Sequence, residues 1–139
     1  MKKLCEVFGN NRGEGYIDVV VSVLVSMMII VLALNVFSFL TIKQDMEYLA
    51  KEMIEAATAN GTTIGRTTDR YYELEEETGI SPSCYWSTTY YNTSERTVQL
   101  GDTITVTLNY DTYLKGFGIF KIPITLTAKH SGLSQKYWK

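Results

Sequence analysis

VVVSVLVSMMIIVLALNVFSFL, residues Val19–Leu40, decides the fold: it has 22 residues and no charge, and only Ser22, Ser26, Asn35 and Ser38 are polar. Coiled into a helix it extends about 33 Å, enough to cross a hydrocarbon core of roughly 30 Å. Lipid offers no partner for free N–H and C=O groups, so the run is expected to be helical throughout. A secretory signal has a shorter apolar stretch, about 7–15 residues, with small residues at its cleavage site. This run ends instead on the bulky Phe37-Ser38-Phe39-Leu40. A core helix of a soluble protein would keep a polar face, and this one keeps none. The reading is a single bilayer span.

Working outward, residues 1–18 form a short leader with Lys2, Lys3 and Arg12, while Lys43 and Lys51 follow the span. The bias of basic residues toward the cytoplasm therefore places the N-terminus in the cytoplasm and the C-terminal domain outside the cytoplasmic membrane. The chain has 139 residues, room for one small domain besides the span. After Leu40 there are 10 basic and 12 acidic residues, without a basic stripe interleaved with aromatics, so nucleic acid is not an expected partner. Cys5 and Cys84 fall on opposite sides of the span and should not pair. A solitary Cys84 reads as a small buried hydrophobe, with an intermolecular disulfide as the alternative.

The helix is expected to continue beyond the span. Ile42, Met46, Leu49, Met53 and Ala57 recur at steps of three and four, with Ala50 and Ile54 beside them, and charged residues fill the other face. No Pro or Gly interrupts Tyr16 through Asn60, and Asn60-Gly61 is a stop signal, so residues 41–59 are an amphipathic extension. A shorter helix is expected over Thr68–Thr78, capped by Thr67 or Thr68 and ended by Gly79 and Pro82.

From Ser83 the period changes to two. Ile104, Val106, Leu108 and Tyr110 alternate with Thr103, Thr105, Thr107 and Asn109; Ile122, Ile124, Leu126 and Ala128 alternate with Lys121, Pro123, Thr125, Thr127 and Lys129. These are half-buried antiparallel strands. Cys84–Tyr91 and Arg96–Leu100 read as two earlier strands, with turns at Gly101-Asp102 and Lys115-Gly116-Phe117-Gly118. Pro123 removes a ladder donor and belongs on an edge or an irregular strand. The fold class is α+β: a long N-terminal helix, transmembrane then amphipathic, packed on an antiparallel meander of about four strands within a β-rich domain of residues 60–139. The stripe Ile42–Ala57 is the natural cover for the sheet's apolar face.

Chemistry-bearing residues are sparse. His130, the one histidine, stands near the end of the last strand without an obvious carboxylate or cysteine partner. Glu75-Glu76-Glu77 points to different sides of a helix and reads as a solvated face. Asp102, Asn109 and Asp111 match no calcium-loop spacing. No catalytic residue, cofactor or metal is expected. Ser22 and Ser26, one turn apart, and Asn35 are candidate helix-packing residues in the membrane. Tyr137-Trp138 reads equally as a lipid or partner contact and as a frayed tail.

The order of leader, apolar half-helix, amphipathic half-helix and antiparallel sheet resembles a type IV pilin or pseudopilin, and more narrowly the TadE-like pseudopilins of tight-adherence secretion systems. Arg12-Gly13-Glu14-Gly15-Tyr16-Ile17-Asp18, running into Val19, is similar to that family's leader motif. Gly101–Thr107 with Tyr110, and Ile122–Ala128, are similar to its two C-terminal strands. The resemblance implies a non-enzymatic structural subunit, cut between Gly13 and Glu14 by a prepilin peptidase, with Asp18 as the fifth mature residue. Cleavage would free an amino group that a neighbour's Asp18 could neutralise in low dielectric. Implied partners are the membrane, like pilin subunits and a membrane assembly platform. Asp rather than Glu stands fifth, Glu14 would be the first mature residue, and the apolar helix lacks the Pro common in the family. These departures define the alternative, an uncleaved single-pass accessory or binding protein of a conjugative or secretion complex.

Overall fold

A computed structural model of the chain describes residues 14–116 and 120–139. The described elements are helix α1 (Glu14–Asn60), helix α2 (Arg66–Thr78) and strands β1 (Ser83–Thr88), β2 (Thr103–Gly116) and β3 (Phe120–Leu133). The chain divides into two units, Met1–Phe37 and Ser38–Lys139, the boundary falling inside α1.

The second unit is built on the amphipathic stripe. Met46, Leu49, Ala50 and Ala57 are fully buried, and Met53 and Ile54 nearly so. They pack against Ile104, Val106 and Leu108 of β2 and Leu126 and Ala128 of β3, with Leu74 of α2, Ile80 and Val98 completing the core. The three-residue and four-residue recurrence thus lands on the sheet-facing side of α1, as its period requires. The helix stops where Gly61, at φ +62, donates its N–H to the carbonyl of Ala57 at 2.8 Å.

Among the described residues the sheet has three antiparallel strands in the order β1-β2-β3, not four. The expected strand Arg96–Leu100 is absent because its backbone bonds go to several different segments. The N–H of Val98 donates to Gly61, that of Thr97 to Asn92, and Arg96 and Thr97 accept from Thr63 and Tyr91. Only isolated bridges form, Thr62 with Thr97 and Asn92 with Thr97. Arg96 turns the chain at φ +48, a conformation that ends an extended run. β1 is also shorter than expected, ending at Thr88. Pro123 sits on β3, an edge strand, where a missing ladder donor is tolerated. Of the expected turn Lys115-Gly116-Phe117-Gly118, residues 117–118 lie outside the described residues.

Helix α2 begins two residues earlier than expected, and neither threonine caps it. Gly65 takes the cap position without a side-chain bond, and the buried Thr67 hydroxyl donates to the carbonyl of Thr62 at 2.8 Å. Gly79 ends the helix in the left-handed conformation, φ +69, with its N–H on the carbonyl of Glu75.

Helix and sheet approach closely at Gly132. A Cβ there would lie 2.8 Å from Thr58 Cγ2 and 3.4 Å from Ile54 Cγ1. Thr58 cannot swing away freely, because its hydroxyl donates to the carbonyl of Glu55 at 3.1 Å. Gly132→Val is therefore expected to destabilise the unit by about 1–3 kcal/mol through overpacking. A lowered urea midpoint in detergent solution checks this; an unchanged midpoint would mean that α1 can lift off β3 at no cost.

Candidate functional site

The first unit, taken by itself, is helix. From Gly15 to Ile30 every side chain is exposed, among them Tyr16 at 82%, Val20 at 63% and Met27 at 62%. A helix that is apolar all round and buried against nothing among the described residues is the reverse of a soluble core helix, and water is a poor solvent for it. It is a candidate single-pass membrane anchor.

Gly13 lies outside the described residues, as do Cys5 and the basic residues Lys2, Lys3 and Arg12; Glu14 is the first residue of α1. Asp18, Ser22 and Ser26 follow one another at four-residue steps and form one stripe along the exposed surface. Asn35 does not belong to it. At 100° per residue it falls about 140° around the helix from Ser22, and its amide N–H already donates to the carbonyl of Val31 at 2.8 Å. The three packing candidates therefore serve two faces. A neighbour touching the serines would also meet Asp18.

In the second unit the structure supplies the partner that sequence reasoning did not find for His130. Its Nε2 lies 2.9 Å from Glu47 Oε2, and Glu47 Oε1 lies 2.7 Å from Lys43 Nζ. Lys43 also donates to the carbonyl of Thr127. His130 is on the same face of β3 as Leu126 and Ala128, so the alternation aims it at α1. The ammonium of Lys43 and then His130 hold the Glu47 carboxyl below its ordinary value of 4.5. A group depressed on folding contributes above its unfolded pKa, and the contribution disappears as pH falls. Glu47→Gln is expected to cost less than about 1 kcal/mol at neutral pH, since the pair is partly solvated. The gap between the two proteins should close as pH falls below 4.5, which denaturation midpoints over a pH series would show. A gap independent of pH would overturn the charge reading.

Arg70 of α2 makes a second cluster, 3.1 Å from Glu52 of α1, 3.0 Å from Glu73 and 3.9 Å from Glu77. These carboxylates, Glu73 first and then Glu52, raise its pKa further. The cluster ties α2 to α1 beside a cleft of about 460 Å³ also lined by Glu55, Arg66 and Asp69. Glu75 accepts from Ser81. Asn109 and Asp111 accept from Thr127 and Thr125 directly across the ladder, at 2.9 and 2.6 Å. Among the described residues no group of His, Cys, Asp and Glu is placed to hold a metal ion.

Cys84 is half-buried against the core, and burial pushes its thiol up to about 11, away from thiolate chemistry. The tail is docked rather than frayed. Trp138 exchanges bonds with Gln99 at 2.8 and 2.9 Å and donates its indole N–H to the carbonyl of Gly61 at 3.2 Å. Lys136 lies over its ring, 4.4 Å from the centroid. The close approach needs Gly61, since a Cβ there would stand 2.9 Å from the indole nitrogen.

Comparison with curated proteins and with solved structures gives no match. A family model described as "Domain of unknown function (DUF4320)" matches residues 23–139, taking in most of the apolar run and all of the second unit. That span is well over half of the chain, and the protein belongs to the DUF4320 family.

Proposed function

We propose that this protein is a non-enzymatic structural subunit, a TadE-like or minor-pilin-like component of a surface appendage or secretion apparatus. The observation that carries the reading is the wholly exposed apolar helix at the start of α1, whose continuation beyond Ser38 underlies a small antiparallel sheet. An anchor alone needs the apolar run and nothing more. A stripe of Asp18, Ser22 and Ser26 down one side of it suits packing against like helices. In this reading residues 1–13 are a cytoplasmic leader removed by a prepilin peptidase, the span lies in the cytoplasmic membrane, and the sheet faces outside. Like subunits and a membrane assembly platform are the partners. The leader motif that supports processing lies ahead of the family match, which begins at residue 23. Processing therefore rests on the resemblance of Gly13 to Asp18 alone.

The second reading is an uncleaved membrane-anchored accessory protein of a conjugative or secretion complex. The mass of the intact protein extracted from membranes separates the two. Loss of residues 1–13 supports the processed subunit, and a full-length N-terminus leaves only the accessory protein.

A further inference from the structure

Helix α2 carries most of its end charges against its own dipole. The N-terminal end of a helix favours anions and the C-terminal end favours cations. Yet Arg66 opens α2, and Glu75, Glu76 and Glu77 close it with no basic residue in the last turn; Asp69 alone has the favoured sign. The fold offsets this only in part. Glu75 accepts from Ser81, and Arg70 stands 3.9 Å from Glu77. Glu76 is exposed and joins no ion pair among the described residues. One turn before it stands Tyr72, 63% exposed. At 100° per residue both lie about 160° around the helix from Leu74, on the side away from the core. An uncovered tyrosine between Glu73 and Glu76 suits a contact with a basic surface.

The chain has such a surface. A cleft of about 450 Å³ lies where the end of α1, the start of α2, the loop around Glu95 and the tail converge. Its charged lining is Arg66, Lys136 and one carboxylate, Glu95. Neither cation joins an ion pair among the described residues. Lys136 rests over the ring of Trp138, which Gln99 and Gly61 hold in place, so this cation is presented by a docked segment. From Arg66 to Glu76 is about 15 Å along the axis, so the acidic end of α2 cannot enter its own cleft. The sheet is a poorer match for one helical turn. Its exposed lysines, Lys121 and Lys129, stand about 27 Å apart along β3.

We propose that the cleft at the start of α2 receives the last turns of α2 from a second copy, with Glu73 and Glu76 meeting Arg66 and Lys136 and Tyr72 covering the rim. The contact deepens the reading of the chain as a subunit that assembles with like subunits, and it rests on that reading. It joins two different patches, so it repeats from copy to copy instead of closing on a pair. The two-fold alternative, α2 against α2, sets Asp69 and Glu73 of each copy near Glu76 of the other, where like charges repel. Copies held in one bilayer meet at high local concentration, so a small contact suffices.

The test uses the full chain in phosphatidylcholine vesicles. Ile64→Cys at the cleft and Glu77→Cys on α2, in a Cys5→Ser, Cys84→Ala background, are joined by a short bismaleimide. Within one copy the two positions are about 20 Å apart, beyond its reach. A ladder of dimers, trimers and higher species is expected. Adding Glu76→Lys or Lys136→Glu should each cut its yield by about tenfold or more. Combining the two reversals should restore the ladder, because opposite charges meet again. A ladder that survives both single reversals overturns the charge pairing. Dimers from Glu77→Cys alone overturn it in favour of a two-fold contact. Absence of the ladder while Ser22→Cys, in the same background, links copies through the span overturns this contact and leaves assembly standing. No link at either place overturns the contact and the like-subunit reading together.

Discussion

Asp18→Ala is expected to leave the chain inserted in the membrane and to reduce its assembly with like subunits by about a hundredfold or more. Under the proposed function, a mature N-terminal ammonium enters a helical bundle whose surroundings are lipid and apolar side chains. Removing one partner of a buried charge pair costs about 3–5 kcal/mol, because the other charge is left desolvated and unpaired. Every described residue from Gly15 to Ile30 is exposed, so the substitution removes no packing among the described residues. Folding and insertion are therefore separable from assembly. Sedimentation of sheared surface material, compared with membrane-retained protein, measures the ratio. Asp18→Glu should restore assembly, since it keeps the charge and lengthens the reach by one methylene. Undiminished assembly of Asp18→Ala would remove the charge-pairing role, and loss of insertion would reassign Asp18 to the membrane boundary.

Leu49→Ala should cost the second unit about 2–5 kcal/mol. Leu49 is fully buried, among Met46, Ala50 and Met53 and against the inner face of the sheet. Deleting its methine and two methyl groups forfeits their transfer energy and leaves a space that α1 and β2 cannot both collapse into. Small domains hold only about 5–15 kcal/mol in total, so the loss takes a large share. Chemical denaturation in detergent would show a much lower midpoint with the α1 span still helical by circular dichroism. A change below about 1 kcal/mol would mean that Leu49 is not the keystone between helix and sheet.

The parts of this structure that were legible beforehand share one property: a period carried by several residues in a row. The apolar run Val19–Leu40 and the stripe Met46, Leu49, Met53 and Ala57 each express a single helical rule many times over, and alternation in Ile104–Leu108 and Leu126–Ala128 does the same for strands. Asn60-Gly61 and Gly79 were legible because a left-handed residue admits few alternatives. What was not legible depended on single long-range events. Val98 alternates like a strand residue, but its N–H is claimed by Gly61, and Arg96 takes a positive φ that no composition announces. Thr67 had the chemistry of a cap, yet a carbonyl five residues back holds its hydroxyl. The Glu47–His130 pair joins positions 83 apart. Its one advance signal was parity, since His130 falls in step with Leu126 and Ala128 and must face whatever covers them. The docking of Trp138 had no such signal.

The close packing of α1 on β2 and β3 also sets the order in which the molecule can be made. The stripe ending at Ala57 leaves the ribosome more than forty residues before Ile104, the first fully buried strand residue of the core that covers it. Local structure alone cannot shelter it in that interval, because the contacts it needs are distant along the chain. If residues 19–40 act as the proposed anchor, a newly inserted chain carries an oily flank beside it, where a bilayer surface is the nearest apolar phase. Under the proposed function, birth at the membrane gives this protein a cradle against aggregation: its sticky helix can rest on lipid until the hairpin arrives and lifts it away.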